Sequence, residues 1–308
     1  MPRPAILLFL ALVLAGQAAR AEPVALRVRS VADGVYALVG DLAQRSPDNL
    51  GNNATFGLVV TGAGAVLIDS GGSDRGAAQI EAAVRTVTDA PIVAVINTGG
   101  QDHRWMGNAR FKAKGARIIA SAAAVADQAA RVDAQVQMLN ALVGAAGMAG
   151  TTPRRADETF DEALDLTLGG TAIQVRHAGA AHTPGHAFVW LPAQRVLFTG
   201  DGVYMDRMLG VIEVSDLKSW IAVFEAMAAL DPKVVVPGHG EPAPLAKART
   251  ETYAYLVNLR DRVRAVIAAG GGESEAVEVD QSAFAHLANF DQLARRNALA
   301  AFVQLEFE

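Results

Sequence analysis

The chain has 308 residues, 51% hydrophobic and 19% charged, a balance that excludes a disordered polymer and suits a packed, enzyme-sized body. It carries six histidines and no cysteine, which excludes disulfides and thiolate metal ligands and leaves only His, Asp and Glu to hold a metal. The formal charge is −5; without residues 1–21, which contain Arg3 and Arg20 and no acidic side chain, it is −7, which argues against a nucleic-acid or anionic-membrane surface.

The N-terminus reads as a targeting segment. Pro2-Arg3 gives a positive start, Ile6 to Ala15 an apolar run, and Ala19-Arg20-Ala21 a small-x-small cleavage site. The run is shorter than the about 20 residues of a membrane span. The expectation is a secretory signal, residues 1–21, removed to leave a periplasmic or secreted chain, 22–308; the alternative is an uncleaved anchor. No later stretch reads as a span, so the mature chain is expected to have no membrane anchor.

Val24 to Val31 with Gly34 to Val39, and Thr55 to Val60 with Ala65 to Asp69, alternate or run apolar around Asp33 and Gly62-Ala63-Gly64, which predicts two hairpins. Gly51-Asn52-Asn53 is a loop of no assigned role. Arg75 to Val87 has helical periodicity, with Asp74 as its expected N-cap. Ile92 to Asn97 is a buried strand opening into Thr98-Gly99-Gly100, and Arg117 to Ala120 another strand. Ser121 can cap an Ala-rich helix from Ala122 to about Gly144.

The order then repeats without residue identity. Ala163 to Leu168 with Ala172 to His177, and Ala187 to Leu191 with Arg195 to Thr199, predict hairpins. Leu217 to Leu230 is an amphipathic helix and Lys233 to Val236 a strand. From Pro244 the chain is helical, broken at Gly270-Gly271-Gly272. Two halves of hairpins, helix and strand predict two helix-covered sheets meeting in one sandwich, with the loops gathered at one edge.

Three glycine-marked loops carry the chemistry: His182-Thr183-Pro184-Gly185-His186, Phe198-Thr199-Gly200-Asp201-Gly202 and Val236-Pro237-Gly238-His239-Gly240. Each sits beside an apolar run. Strand ends hold side chains rigidly and glycine lets the backbone turn around a small ligand. Converging, they would present imidazole, carboxylate and imidazole, a bed for zinc or a similar ion. His177 and His286 lie at a strand end and in a helical stretch and are expected to be structural or exposed. Asp69-Ser70-Gly71-Gly72 looks like a protease nucleophile loop but lacks the preceding glycine; Asp69 is expected to brace the turn near the site. There is no phosphate-binding or dinucleotide fingerprint.

In order and wording these loops resemble the metallo-β-lactamase-fold hydrolases, from Leu67-Ile68-Asp69-Ser70-Gly71 to Gly240. The resemblance implies an α/β fold, a four-layer αββα sandwich forming one domain with a helical C-terminal segment. With the secretory signal, the chain is most similar to exported members linked to sulfur-oxidation and quinoprotein pathways. That family carries Asn-Thr-His-x-His-x-Asp-His-x-Gly-Gly-Asn after the helix, where this chain reads Asn97-Thr98-Gly99-Gly100-Gln101-Asp102-His103-Arg104-Trp105-Met106-Gly107-Asn108. Two registers are open. Without a gap, Gly99 and Gln101 replace the first two histidines, and His103 and Arg104 fall on the Asp-His pair. With a one-residue slip, Asp102-His103 is that pair.

In either register the first metal position keeps only His182. The resemblance implies a second position made of Asp102, His103, Asp201 and His239 in the slipped register. One zinc ion is therefore expected rather than two, with iron or manganese as alternatives and His182 as a nearby ligand. Metal-activated water would attack a small ester, thioester, lactone or amide, with Asp102 accepting or orienting its proton. Arg104 is a candidate clamp for an anionic substrate or a partner for Asp102. His186 and Arg207 are candidate substrate-binding residues, and Met205, Asp206 and Met208 candidate pocket walls. The rival readings are a non-catalytic binding or accessory relative that lost the binuclear site, and an iron redox or persulfide-oxidising enzyme of the same fold.

Overall fold

In the computed structural model, which describes residues 24–307, two sheets face each other. The expected signal segment, residues 1–21, lies outside the described residues. The first sheet has seven strands in chain order: β1 (Arg27–Ala32), β2 (Val35–Val39), β3 (Thr55–Thr61), β4 (Gly64–Ile68), β5 (Ile92–Ile96), β6 (Arg117–Ser121) and β7 (Glu158–Phe160). β1 to β4 form an antiparallel meander, and β4 to β7 run parallel. The second sheet holds β8 (Ala163–Leu168), β9 (Thr171–Arg176), β10 (Phe188–Leu191), β11 (Val196–Phe198) and β12 (Val234–Val236). It is antiparallel except for the parallel pair β11 and β12.

The inner faces bury Val59, Val66, Ile68, Ile96 and Ile119 of one sheet against Ile173, Val189, Val196 and Phe198 of the other. Each such side chain contributes roughly 1.5–3 kcal/mol by leaving water. Gly57 leaves room for a ring of the facing sheet: a Cβ there would lie 2.5 Å from the Phe198 ring. Helices cover both outer faces. α1 (Asp74–Arg85) places Ala77, Ile80 and Val84 on Leu58, Leu67 and Val95, joined by Phe111 of α3 (Asn108–Lys112). α5 (Leu217–Ala229), α7 (Ala254–Ala268) and α9 (Phe290–Leu305) pack Trp220, Phe224, Tyr255, Leu259 and Phe302 over Trp190, Leu197 and Val235. Short helices α6 (Leu245–Ala248) and α8 (Glu273–Ala276) complete that layer. The molecule is thus the expected αββα sandwich.

The hairpins and long helices fall within a few residues of the predicted spans, with three differences. Ser73, not Asp74, caps α1: its side chain accepts from the Gly76 amide at 2.9 Å, while Asp74 sits in the first turn and pairs with Arg110. α4 (Ala122–Met148) breaks at the expected end, where Gly144 is non-helical (φ 78°, ψ 157°), and a further short helical piece that was not expected follows to Met148. α2 (Asp102–Trp105), α3 and β7 lie where no element was expected. α4 caps itself with Ser121 as expected and packs Leu139 and Val143 on Trp105.

Candidate metal centre

The parallel strands deliver the chemistry. β4 ends at Ile68 before Asp69, β5 at Ile96 before the 97–101 loop and α2, β11 at Phe198 before Asp201, and β12 at Val236 before His239. All four chain exits reach one rim, where carboxyl ends of strands commonly bind ligands.

His103, Asp201 and His239 converge there. One ligand atom from each lies within 4.8 Å of the others, and all three residues are buried. His103 Nε2 is 3.2 Å from Asp201 Oδ2, and His239 Nε2 is 3.1 Å from Asp201 Oδ1. His239 Nδ1 is 2.6 Å from the Asn53 carbonyl. Arg207 Nη1 lies 2.9 Å from the same nitrogen, so Nδ1 has a carbonyl oxygen and a guanidinium group beside it while Nε2 faces the Asp201 carboxylate. His103 Nδ1 sits 3.1 Å from Asp102 Oδ1 and 2.7 Å from Arg45 Nη2.

Arg104 lies beneath this trio and is 1% exposed. Its five N–H donors meet five acceptors. Nε and Nη2 donate to Asp201 Oδ2 and Oδ1 at 3.1 and 2.6 Å, and Nη2 also to the Gly238 carbonyl at 2.9 Å. Nη1 donates to Asp69 Oδ2 at 3.0 Å and to the Thr55 carbonyl at 3.1 Å. Asp69, at φ 66°, also accepts from the amide and hydroxyl of Thr98 and so ties β4 to β5. Burial opposes the charge on Asp201, but Arg104 and then His103 outweigh it and hold the carboxyl well below its ordinary value. Burial, aided by Arg207, holds His239 well below the ordinary histidine value, and so neutral.

The structure brings three of the five expected ligands together. Asp102 stands apart, behind His103. It is fully buried, its Oδ1 bound by Arg45 and the His103 amide. Because side chains on α2 diverge by about 100° per residue, it is 103 and 104, not 102 and 103, that reach Asp201. That is the register without a slip, and it removes Asp102 from the place of a ligand or proton acceptor in the cleft. His182 lines the cleft beside the trio, its Nδ1–H donating to the Gly210 carbonyl at 2.9 Å, and burial lowers its pKa to about 4.

Three expected substrate contacts separate in the same way. Arg104 has no donor left for a ligand. His186 is 1% exposed, outside the cleft, against Gly202, where a Cβ would come within 2.6 Å of its Nε2. Arg207 does line the cleft, bonded to Gln44 Oε1 at 3.0 Å and 2.9 Å from His239 Nδ1. His286 is exposed, as expected. Arg45, Asn53 and Tyr204 were not singled out from the sequence. Tyr204 stacks on His239 with centroids 4.5 Å apart. Arg45 and Asn53 belong to a loop without a motif; Tyr204, three residues after Asp201, had proximity as its one signal.

The donor set fits a single metal ion. It offers two imidazole nitrogens and one carboxylate, with the far nitrogens held by Asn53 and by the Asp102–Arg45 pair, the kind of outer support that metal-binding histidines have. His103 Nε2 and His239 Nε2 both approach the Asp201 carboxylate, so the three candidate ligand atoms share one small space. At the neighbouring position Gly99 has no side chain, and the Gln101 amide oxygen accepts from Arg131 at 3.3 Å. From α4, Gln128 and Gln135 donate to the carbonyls of Gly99 and Gly100.

This fold and rim define a metallohydrolase-type scaffold, and the comparisons agree. The family model of the metallo-beta-lactamase superfamily matches residues 51–239. The chain belongs to that superfamily, whose members are metal-dependent hydrolases, alkylsulfatases among them. A "Metallo-beta-lactamase type 2" of Bacteroides fragilis is 30% identical over 86 residues, 27% of this chain and 34% of the relative, so the match spans about a third of that protein. A metallo-beta-lactamase from Pontibacter korlensis is similar in structure, with 22% identity and a TM-score of 0.61, covering 76% of this chain and 99% of that one. The stereoselective inverting sec-alkylsulfatase Pisa1 from Pseudomonas sp. has 18% identity and a TM-score of 0.68, covering 92% of this chain and 51% of that one.

Proposed function

We propose that this protein is an exported hydrolase with one metal ion, held by His103, Asp201 and His239, acting on a small ester, thioester, lactone or amide. The observation that carries this is the convergence of three buried donors within 4.8 Å beside a cleft of about 360 Å³. Zinc suits the set, and iron or manganese is chemically compatible with it. A divalent ion there supplies Lewis acidity and a nucleophile at neutral pH.

The chain's own residues do the rest. Arg104 fixes the plane of the Asp201 carboxylate through two parallel N–H donors. The Asn53 carbonyl and Arg207 back the Nδ1 side of His239 and fix the ring's orientation. The His103 backing pair, Asp102 and Arg45, orients that ring. His182, neutral near pH 7 with Nδ1–H engaged, is placed in the cleft wall to contact a bound molecule.

A second reading, a binding protein that kept the fold without catalysis, is favoured by Gly99 and Gln101 at the first metal position. Elemental analysis together with chelator-sensitive hydrolysis of a panel of small esters, thioesters and lactones decides between them. About one equivalent of metal with activity lost on chelation supports the hydrolase; a folded protein without metal or activity supports the binding protein.

A further inference from the structure

Of the three residues at the first metal position, Gly99 has no side chain, and His182, with its Nδ1–H on the Gly210 carbonyl, is left with an acceptor. Of their side chains, only that of Gln101 can supply free N–H donors there. Gln101 is 8% exposed and lines the same cleft as His103 and His182. Its Oε1 accepts from Arg131 Nη1 at 3.3 Å. A guanidinium has no acceptor, so the amide oxygen faces Arg131 and the Nε2 group is turned away from it. That NH2 group has no hydrogen-bond partner among the described residues and is not fully enclosed, so it opens on the cleft. Arg131 is itself held: its Nε donates to Asp127 Oδ1 at 2.6 Å and its Nη2 to Oδ2. Asp127 fits because residue 100 is glycine, where a Cβ would lie 1.9 Å from Asp127 Oδ2. With Gln128 and Gln135 on the carbonyls of Gly99 and Gly100, α4 fixes both the backbone of this loop and the direction of its amide. A donor held in advance in this way costs little reorganisation during a reaction.

Resting on the hydrolase reading of the same cleft, we infer that Gln101 is a further catalytic residue whose Nε2–H donates to the substrate carbonyl oxygen, and that Arg131 is the positioning residue that keeps this donor turned into the cleft. As the oxygen of water bonds to the carbonyl carbon, the C=O π pair moves onto the carbonyl oxygen. The Gln101 hydrogen bond strengthens as negative charge grows there. When that pair returns, the bond to the leaving group breaks and a water proton ends on the leaving group. Gln101 keeps its own protons throughout. The donor is a side chain of this protein and does not require the metal.

The test has two readouts. The first is difference infrared spectroscopy of 2-heptanone, labelled with ¹³C at its carbonyl, bound to the full chain as purified and after EDTA treatment. A ketone is not hydrolysed, and a hydrogen bond to its oxygen lowers the C=O stretch. A lowered stretch is expected in both preparations of the wild type and is expected to be lost in Gln101→Leu and in Gln101→Glu, which keeps the Arg131 contact but has no N–H. An unshifted band in the wild type overturns the inference without use of any variant. A shift that vanishes on EDTA treatment also overturns it, by assigning the oxygen to the ion. The second readout is hydrolysis of 4-nitrophenyl acetate at equal metal content. Gln101→Leu is expected to lower kcat about 100-fold with KM within about 3-fold. Arg131→Met, which frees the amide to turn over, is expected to lower kcat about 10-fold, and Arg131→Lys to recover part of it because an ammonium also only donates. Unchanged kcat in Gln101→Leu overturns the catalytic role. A shifted band in a wild type that hydrolyses nothing upholds the donor and removes the hydrolase reading.

Discussion

Arg104 Nη2 donates to Asp201 Oδ1 at 2.6 Å, and the same carboxylate faces both His103 and His239. One buried cation therefore holds the central acid of the site while also pairing with Asp69. Arg104→Met would leave two buried carboxylates without their partner and is expected to cost about 3–5 kcal/mol of stability, read by urea denaturation. Arg104→Lys is expected to recover only part of it, because an ammonium has three donors for five acceptors. Wild-type stability in Arg104→Met would contradict the network.

Elemental analysis of the wild type is expected to give about one metal per chain. Asp201→Asn and His239→Ala should each lose most of it, whereas Asp102→Asn, which alters a group behind His103, should lose less. Retention of all the metal in the first two would exclude the trio as the binding place.

Because 103 and 104 are the residues that reach Asp201, Gly99 and Gln101 occupy the positions of the family's first two histidines. Gly99→His with Gln101→His is expected to raise the metal content towards about two equivalents, with His182 as the third ligand. A Cβ at 99 would lie 3.0 Å from Thr183 Oγ1, a contact that a small hydroxyl shift relieves. Unchanged stoichiometry in the folded double variant would count against this register.

On the outer surface, Glu81 accepts from Lys114 and Arg85 and pairs with Arg110. Burial alone would raise its pKa, but Lys114 and then Arg85 outweigh it and hold the carboxyl below its ordinary 4.5. A group depressed in the folded state adds stability above its unfolded pKa and loses it as pH falls through the folded value. Glu81→Gln is thus expected to lower stability by about 0.5–1 kcal/mol at pH 7, with the gap from wild type closing below about pH 4. A gap that persists in acid would assign the loss to packing.

The hairpins and long helices were legible because their apolar residues recur at period two or in helical stripes, as in β3 and α1. α2 and α3 were not: at four and five residues they are too short to display a period, and tertiary contacts through Trp105 and Phe111 hold them. The Asp201 and His239 loops stood out by their glycines. The roles of residues 102–104 were ambiguous because a one-residue change of register changes every partner, and only the turn of α2 decides it. Arg45 and Asn53 left no trace in the pattern, since they act through a loop whose path is set by Asn49 and Asn52 hydrogen bonds rather than by periodicity.

The ladders of both sheets stop before the rim begins: β5 ends at Ile96 and β12 at Val236, ahead of every donor discussed above. A histidine exchanged for glycine at 99 therefore breaks no strand pairing and empties no hydrophobic layer. Such a scaffold separates endurance from reactivity. Edge positions can change from gripping an ion to leaving it unheld while the ladders beneath them keep their pairing.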